Sequence, residues 1–153
     1  MNSDYIKYVN LPQIPEGLLV NTIDDFSELK NIFIKDKYPL YKQYLNVNPD
    51  LRDWLQDTLH CYFFCSYQVI REGILVHKDF GRTECMNYIL ATGGENAVLN
   101  MYDDDRNLIV AAQVPVHKWH WLNVTKFHGA ANLDTVRLSL TVDHYTRNVK
   151  DFC

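Results

Sequence analysis

The sequence predicts an α+β protein in which short β-strands form a sandwich or barrel and helices pack on one of its sheets. Helix signals dominate the first 59 residues, and after residue 60 come short runs rich in aromatic and β-branched residues, with turn signals between them. The chain contains no internal repeat, low-complexity tract or linker. We therefore expect its 153 residues to form a single domain, mainly helical over 1–59 and with a β core over 60–145.

Three helices are expected in the N-terminal part. Apolar residues recur at three- and four-residue spacing over 23–35 and over 38–45. A third helix is the clearest, because Asn48 suits the N-cap, Pro49 suits the first helical position and Asp50 favours the positive helix end. Its apolar stripe consists of Leu51, Trp54, Leu55 and Leu59.

Strands are expected throughout the remainder of the chain. The runs that predict them are 61–70, 73–79, 85–92, 97–102, 108–116, 120–124 and 136–145. Residues that favour turns occupy 71–73, 93–96, 103–107 and 129–134. The number of short strands is typical of a sandwich or barrel.

Composition and charge exclude several classes of partner. A net charge of −4 argues against nucleic acid as the main partner, and no apolar run approaches the roughly 18 residues of a membrane span. The N-terminus lacks the pattern of a secretory signal. None of the cysteines (Cys61, Cys65, Cys85 and Cys153) forms a CxxC pair, which is typical of reduced thiols. We expect a soluble, cytoplasmic protein without a nucleic-acid or membrane partner.

A histidine and an aspartate stand in alternate positions after a short apolar run, in the stretch VHKDFGR. Alternate residues of a strand point to the same face, so His77 and Asp79 are expected to converge. Burying such groups without a partner costs several kcal/mol, so a neighbouring strand should supply a third group. His128 is a candidate because it stands at a predicted strand end, ahead of a strand in which Arg137 and Ser139 share one face.

Two histidines and one carboxylate leave half of an octahedral coordination sphere open, as in non-haem Fe(II) oxygenases. Arg137 would then offer a bidentate fork, and Ser139 a second donor, to the far carboxylate of a dicarboxylate that chelates the metal with its other end. The structural alternative is a salt bridge from Arg137 to Asp79 or Asp143. For His77 and Asp79 the alternative is a solvated strand end.

The ordered set His77-x-Asp79, His128 and Arg137-x-Ser139 resembles the 2-oxoglutarate- and Fe(II)-dependent dioxygenases. The wider pattern HxDFGR…NYILxTGG…WxLN…H…R, over about residues 60–145, is similar to the short prolyl-hydroxylase-like and aspartyl-hydroxylase-like oxygenases of bacteria and phages. The resemblance implies a double-stranded β-helix, the cupin-like jelly roll. It also implies hydroxylation of a substrate with O2 and 2-oxoglutarate, and release of succinate and CO2.

Residue roles are implied by the same resemblance. The catalytic iron ligands it implies are His77, Asp79 and His128. Arg137, with Ser139, would bind the C5 carboxylate of 2-oxoglutarate. In similar enzymes a polar side chain on the strand after the first two ligands also contacts 2-oxoglutarate. Asn87 and Tyr88 are both candidates, and because they alternate, only one of them faces the cavity. Aspartyl-hydroxylase-like enzymes often carry a basic residue near this point, where this chain has Asn87.

Other polar residues near these motifs have two interpretations. Arg82 either reaches substrate or caps a turn, and Tyr67 and Gln68 either line the cavity or pack in the core. His117 and His120 are expected in an exposed strand or loop.

The substrate is bounded only broadly by the sequence. A prolyl, aspartyl or asparaginyl side chain of a protein, a free amino acid and another small metabolite are all compatible, and the few insertions favour a peptide or protein loop. Two other functions are alternatives. One is a cupin-like metalloenzyme that does not use 2-oxoglutarate. Such enzymes generally have metal ligands in an HxH pattern, and the HxD pattern of this chain argues against it. The other is a non-catalytic barrel that serves as a scaffold or binding protein.

Overall fold

The computed structural model describes residues 4–19, 41–45 and 47–144. Within these ranges the protein has ten β-strands, one α-helix (α1) and one short 3-10 helix. The strands are β1 (Ile6–Tyr8), β2 (Tyr41–Tyr44), β3 (Phe63–Ile70), β4 (Ile74–His77), β5 (Glu84–Thr92), β6 (Val98–Tyr102), β7 (Leu108–Ala112), β8 (Trp119–Asn123), β9 (Phe127–Ala131) and β10 (Arg137–His144). The helices are the 3-10 helix Glu16–Leu18 and α1 (Pro49–Leu59).

The strands form two antiparallel sheets. The larger sheet has the order β1-β8-β5-β10-β3-β2, and the smaller has the order β4-β9-β6-β7. From β3 to β10 the chain changes sheet at every connection except the one between β6 and β7, which pair with each other as neighbours. This eight-stranded arrangement is the jelly roll, so the predicted double-stranded β-helix is confirmed. Strands β1 and β2 extend the larger sheet at its two edges.

Helix α1 covers one face of the larger sheet and confirms the third predicted helix. The Asn48 side chain accepts a hydrogen bond from the Asp50 N–H at 2.9 Å. The helix is capped by His60, whose backbone adopts the left-handed conformation and whose N–H donates to the Gln56 carbonyl. The helix-side core, which lies between α1 and the larger sheet, includes Leu51, Leu55, Leu59, Val69, Trp119, Leu138, Leu140 and Val142. Each buried leucine contributes about 1.5–3 kcal/mol by removal from water.

A second core lies between the two sheets. It consists of Ile6, Cys85, Ile89, Leu99, Met101, Ala112, Val114, Leu122 and Val124. Cys61, Cys65 and Cys85 are buried free thiols, as the sequence predicts, and Cys153 lies outside the described residues. Because α1 covers the outer face of the larger sheet, its inner face is the one available to a site between the sheets.

One predicted helix is replaced by a strand. The helix predicted over 38–45 is wrong for Tyr41–Tyr44, which form β2 and pair with β3, with Gln43 opposite Gln68. The tyrosines at either end of this segment suit a pleated surface, and pairing with an existing sheet edge overrides a weak helical periodicity. The helix predicted over 23–35 lies outside the described residues.

One predicted turn is in part a strand. The segment 129–134 continues β9 as far as Ala131, and the chain turns only from Asn132, whose φ is 57°. Small residues in this segment suggested a turn, but they serve a close approach of two strands instead. In the described ranges, no helix is both long enough and apolar enough to cross a bilayer.

Candidate metal centre

Strands β4 and β9 bring two histidines together between the sheets. The register places His77 directly opposite His128. Gly129 permits this pairing, because a Cβ at that position would lie only 2.7 Å from a backbone oxygen of β4. Asp79 follows two residues after the end of β4, and its N–H donates to the Val124 carbonyl at 3.1 Å. The side chains predicted as metal ligands are therefore held by two neighbouring strands and a fixed turn.

The three side chains point their ligand atoms at one another. Asp79 Oδ1 lies 3.3 Å from His77 Nε2 and 3.8 Å from His128 Nε2. When one ligand atom is taken from each residue, all three atoms lie within 4.8 Å of one another. Ligands at about 2.1 Å from a common ion are roughly 3 Å apart, so only a small contraction is needed. The arrangement fits a single metal ion.

Backbone carbonyls hold both imidazoles in the tautomer that binds metal through Nε2. His77 Nδ1 lies 2.7 Å from the Leu75 carbonyl oxygen, and His128 Nδ1 lies 2.9 Å from the Lys126 carbonyl oxygen. A carbonyl can only accept, so each Nδ1 carries a proton, and Nε2 is the nitrogen left to bind a metal ion once it is unprotonated. Both Nε2 atoms and one carboxylate oxygen therefore face a common point, where a metal ion could bind.

The pKa values follow from the same contacts. The contact with Asp79 raises the pKa of His77, although burial opposes this shift. Burial lowers the pKa of His128. Burial alone would raise the pKa of Asp79, but the contact with His77 and the charge of Arg82 outweigh it and lower that pKa to about 2. Asp79 is therefore a carboxylate at any ordinary working pH.

Arg82 holds the second oxygen of Asp79. Its Nε donates to Asp79 Oδ2 at 2.5 Å, and its Nη1 donates to Asp143 Oδ1 at 2.6 Å. The contact leaves Asp79 Oδ1 directed toward the two histidines. Of the two interpretations from the sequence, neither a substrate contact nor a simple turn cap describes this residue. Arg82 orients a candidate metal ligand and ties it to β10.

We expect Arg82→Gln to weaken metal binding at this candidate centre by about 10- to 100-fold, the usual effect of losing a partner that orients a metal ligand. Anaerobic calorimetric titration of the purified protein with Fe(II) would measure the change. Lys78→Gln is the matched control, because Lys78 is close in sequence but makes an exposed contact with Asp104. Equal Fe(II) affinities for wild type and Arg82→Gln would show that Asp79 is oriented without this guanidinium.

A cavity of about 360 Å³ lies beside the three candidate ligands. Its other polar lining residues are Tyr41, Gln68, Arg82, Asn87, Arg137 and Ser139. Arg137 and Ser139 alternate with Leu138 and Leu140, which pack in the helix-side core. The predicted two-faced character of β10 is therefore present, with its polar face turned into the cavity.

Arg137 is a buried cation without an acidic partner among the described residues. It is only 4% exposed, and burial lowers its pKa to about 10, so it remains charged at neutral pH. The alternative salt bridge to Asp79 or Asp143 is not formed, because Arg82 binds both carboxylates. A buried charge without a counter-ion is costly. This part of the cavity is therefore suited to an anionic group.

Side-chain direction distinguishes Asn87 from Tyr88. Asn87 lines the cavity, and its Oδ1 accepts a hydrogen bond from the Thr141 hydroxyl at 2.5 Å. Tyr88 points into the helix-side core, where its ring centroid lies 5.0 Å from that of Trp119. Tyr88 is thus removed from the candidate contacts to 2-oxoglutarate, because the sheet lies between its ring and the cavity.

Four further residues are placed where the sequence left two interpretations open or predicted something else. Gln68 lines the cavity, whereas Tyr67 belongs to the helix-side core. His120, predicted to be exposed, is fully buried on β8, and burial together with the charge of Arg137 lowers its pKa to about 3. Tyr41 was missed altogether, because a helix was predicted there. The tyrosines and polar residues of YKQY also fit a strand, and pairing of that strand with β3 places Tyr41 near Gln68.

Comparisons with known proteins bear on the fold. No family model matches the sequence, and no curated protein matches it. Among solved structures, AviO1 from Streptomyces viridochromogenes Tue57 is similar with a TM-score of 0.57 at 12% identity, over 90% of this chain and 88% of that one. A Pseudomonas putida prolyl-4-hydroxylase is similar with a TM-score of 0.55 at 14% identity, over 94% and 92%. At such identities the likeness shows a shared double-stranded β-helix fold.

Proposed function

We propose that the protein is an Fe(II)- and 2-oxoglutarate-dependent oxygenase that hydroxylates a peptidyl or amino-acid-like substrate and releases succinate and CO2. One observation carries the proposal. The same cavity holds a convergent His77–Asp79–His128 set and a buried Arg137 that has no acidic partner among the described residues. A metal ion would explain the three converging donors, and a co-substrate with a second carboxylate would explain the buried arginine.

The donor set suits Fe(II). Two imidazole nitrogens and one carboxylate oxygen form the set that leaves half of the coordination sphere open in non-haem iron oxygenases. When bound there with 2-oxoglutarate and O2, Fe(II) would supply the oxidative chemistry of the reaction. The protein's own contribution is orientation. Backbone carbonyls fix the two histidine tautomers, and Arg82 fixes the rotamer of Asp79.

The inner face of β10 suits the co-substrate. Arg137 has five N–H donors in a planar fork that matches a carboxylate, and the neighbouring Ser139 hydroxyl is one more donor on the same face. Both side chains are almost fully buried, so a charge-assisted contact here would be little weakened by water. Asn87, on the adjacent strand β5, also lines the cavity and is the remaining candidate for a further polar contact to the co-substrate.

The substrate class is supported less directly. A structural neighbour is a prolyl-4-hydroxylase, and a shared fold alone does not establish a shared substrate. The cavity is partly open at a rim that includes Leu75, which is 80% exposed. An apolar, accessible rim beside the metal centre is compatible with a segment of peptide entering from solution.

Anaerobic titration of the apoprotein with Fe(II) and then with 2-oxoglutarate tests the proposal. We expect the visible metal-to-ligand charge-transfer band that forms when 2-oxoglutarate chelates protein-bound Fe(II). Iron binding without the band would instead favour a cupin-like metalloenzyme of another reaction class. Failure of the folded protein to bind Fe(II) at all would favour the non-catalytic scaffold.

A further inference from the structure

Four polar side chains lie side by side on the inner face of the larger sheet, one on each of four neighbouring strands. The register sets Thr141 of β10 between Ser66 of β3 and Asn87 of β5, and it sets Asn87 opposite His120 of β8. All four are buried, with exposed fractions between 0% and 6%. Burying polar groups is costly unless they have partners, so this polar row has to be explained by what its members bind.

One pair within the polar row is hydrogen-bonded. Thr141 Oγ1 donates to Asn87 Oδ1 at 2.5 Å, and Asn87 Nδ2 lies 3.5 Å from the sulfur of Cys85. Burial raises the pKa of the Cys85 thiol to about 12, so the sulfur keeps its proton and is only a weak acceptor. Ser66 Oγ and both ring nitrogens of His120 have no hydrogen-bond partner among the described residues. The contact with Thr141 is therefore the main restraint on the Asn87 amide.

Asn87 is the member of the polar row that lines the cavity. Thr141, directly behind it on β10, lies between two residues of the same face with different partners. On one side is Ser139, which also lines the cavity, and on the other is Asp143, which binds the guanidinium of Arg82. The polar row therefore crosses the sheet between the proposed co-substrate contacts and the group that orients a candidate metal ligand.

The Thr141 hydroxyl can hold the Asn87 side chain whichever way the amide is turned. The amide oxygen and nitrogen exchange places on a rotation of 180°, and a hydroxyl can donate to the one or accept from the other. When the hydroxyl donates to Oδ1, the N–H groups of Nδ2 remain for a ligand. The carboxylate and keto oxygens of 2-oxoglutarate can only accept, so a bound co-substrate favours this orientation.

We propose that Thr141 is a positioning residue, which holds the Asn87 amide so that one of its N–H groups donates to an oxygen of the co-substrate. The inference rests on the proposed function, because it concerns the co-substrate of the same cavity. It explains why a hydroxyl, rather than an apolar group of the same shape, occupies the interior of a buried strand. The polar contact reaches the ligand through Asn87, since Thr141 itself lies behind the cavity wall.

The experiment measures co-substrate binding and folding stability separately. The full chain is loaded anaerobically with Fe(II) and titrated with 2-oxoglutarate, and the charge-transfer band gives the Kd. Urea unfolding of the unloaded protein gives the free energy of unfolding. We expect Thr141→Val to raise the Kd by about 3- to 10-fold, as for the loss of one neutral hydrogen bond, and to leave Fe(II) affinity unchanged. Thr141→Ser keeps the hydroxyl and should restore the wild-type Kd.

A double-mutant cycle tests whether Thr141 acts through Asn87. Asn87→Ala should itself raise the Kd for 2-oxoglutarate, and adding Thr141→Val should then change it no further, because the amide that the hydroxyl holds is gone. Asn87→Asp should bind 2-oxoglutarate more weakly than Asn87→Ala does. It keeps an acceptor for the Thr141 hydroxyl but replaces the N–H groups with a negatively charged oxygen.

Thr58→Val and Ser66→Ala are the matched controls, and neither should change the Kd. Thr58 carries a partly buried hydroxyl that donates to the Trp54 carbonyl in α1, and the Ser66 hydroxyl has no partner among the described residues. A Thr141→Val protein with lower stability but the wild-type Kd would overturn the inference, and so would additive effects in the cycle. Wild-type affinity in Asn87→Asp would do the same, even if Thr141→Val failed to fold. In each of these cases the band itself would show that the proposed function stands, whereas a wild-type protein without the band would overturn both.

Discussion

Asp79→Ala is expected to abolish Fe(II)-dependent succinate formation and the charge-transfer band. Asp79 is the anionic member of the proposed ligand set, and its Oδ1 faces both histidine Nε2 atoms. Its removal also frees one end of Arg82, which then adds positive charge where a cation should bind. We expect Fe(II) affinity to fall by more than the 10- to 100-fold that losing an orienting partner typically costs. Anaerobic Fe(II) titration and a succinate assay measure the two effects.

Folding is not expected to account for the loss. Arg82 keeps Asp143 as a partner, so no isolated buried charge results from the substitution. Asp104→Ala is the matched control, since it removes an equivalent carboxylate whose contacts with Lys78 and Lys126 are exposed. Circular dichroism would confirm that both variants are folded. Unimpaired turnover by Asp79→Ala would remove Asp79 from the ligand set and leave the two histidines without an anionic partner.

The candidate site was predictable where it depends on strand alternation. Residues that are two positions apart on a strand lie on the same face of the sheet. Spacing alone therefore groups His77 with Asp79, and Arg137 with Ser139. His128 could be chosen as a candidate from its place at a predicted strand end, but its convergence with these pairs depends on which strands are neighbours, and spacing does not give that. The structure brings the five side chains to one cavity, and their roles in binding remain the proposal made above.

Other parts of the site were not predictable, because long-range pairing decides them. Tyr41 lies in a segment whose apolar spacing also fits a helix, and only pairing with β3 makes it a strand. Gly129 looks like a turn residue until the approach of β4 is known. The role of Arg82 depends on Asp143, which is 61 residues away in sequence and is brought near by β10. Sequence periodicity predicts which face of a strand a residue occupies, but it does not predict which residues of other strands lie opposite that face.

Arg137→Met is expected to weaken 2-oxoglutarate binding severely while leaving the proposed Fe(II) ligands in place. The variant keeps a long side chain on β10 and removes the fork that would pair with the C5 carboxylate. Truncating one member of a buried charge pair typically costs about 2–5 kcal/mol, or roughly 30- to 4,000-fold in Kd. Titration of the Fe(II)-loaded variant with 2-oxoglutarate, followed through the charge-transfer band, measures the loss.

The free energy of unfolding separates this role from a structural one. In the unloaded protein Arg137 is 4% exposed with no acidic partner among the described residues, so replacing it with an apolar side chain should leave stability unchanged or raise it. A structural arginine would show the reverse, with lower stability and normal 2-oxoglutarate affinity. Arg137→Lys refines the comparison, because it keeps the charge and loses the bidentate geometry. We expect its 2-oxoglutarate affinity to lie between those of wild type and Arg137→Met. Equal losses in the two variants would mean that the planar fork, and not the charge, holds the carboxylate.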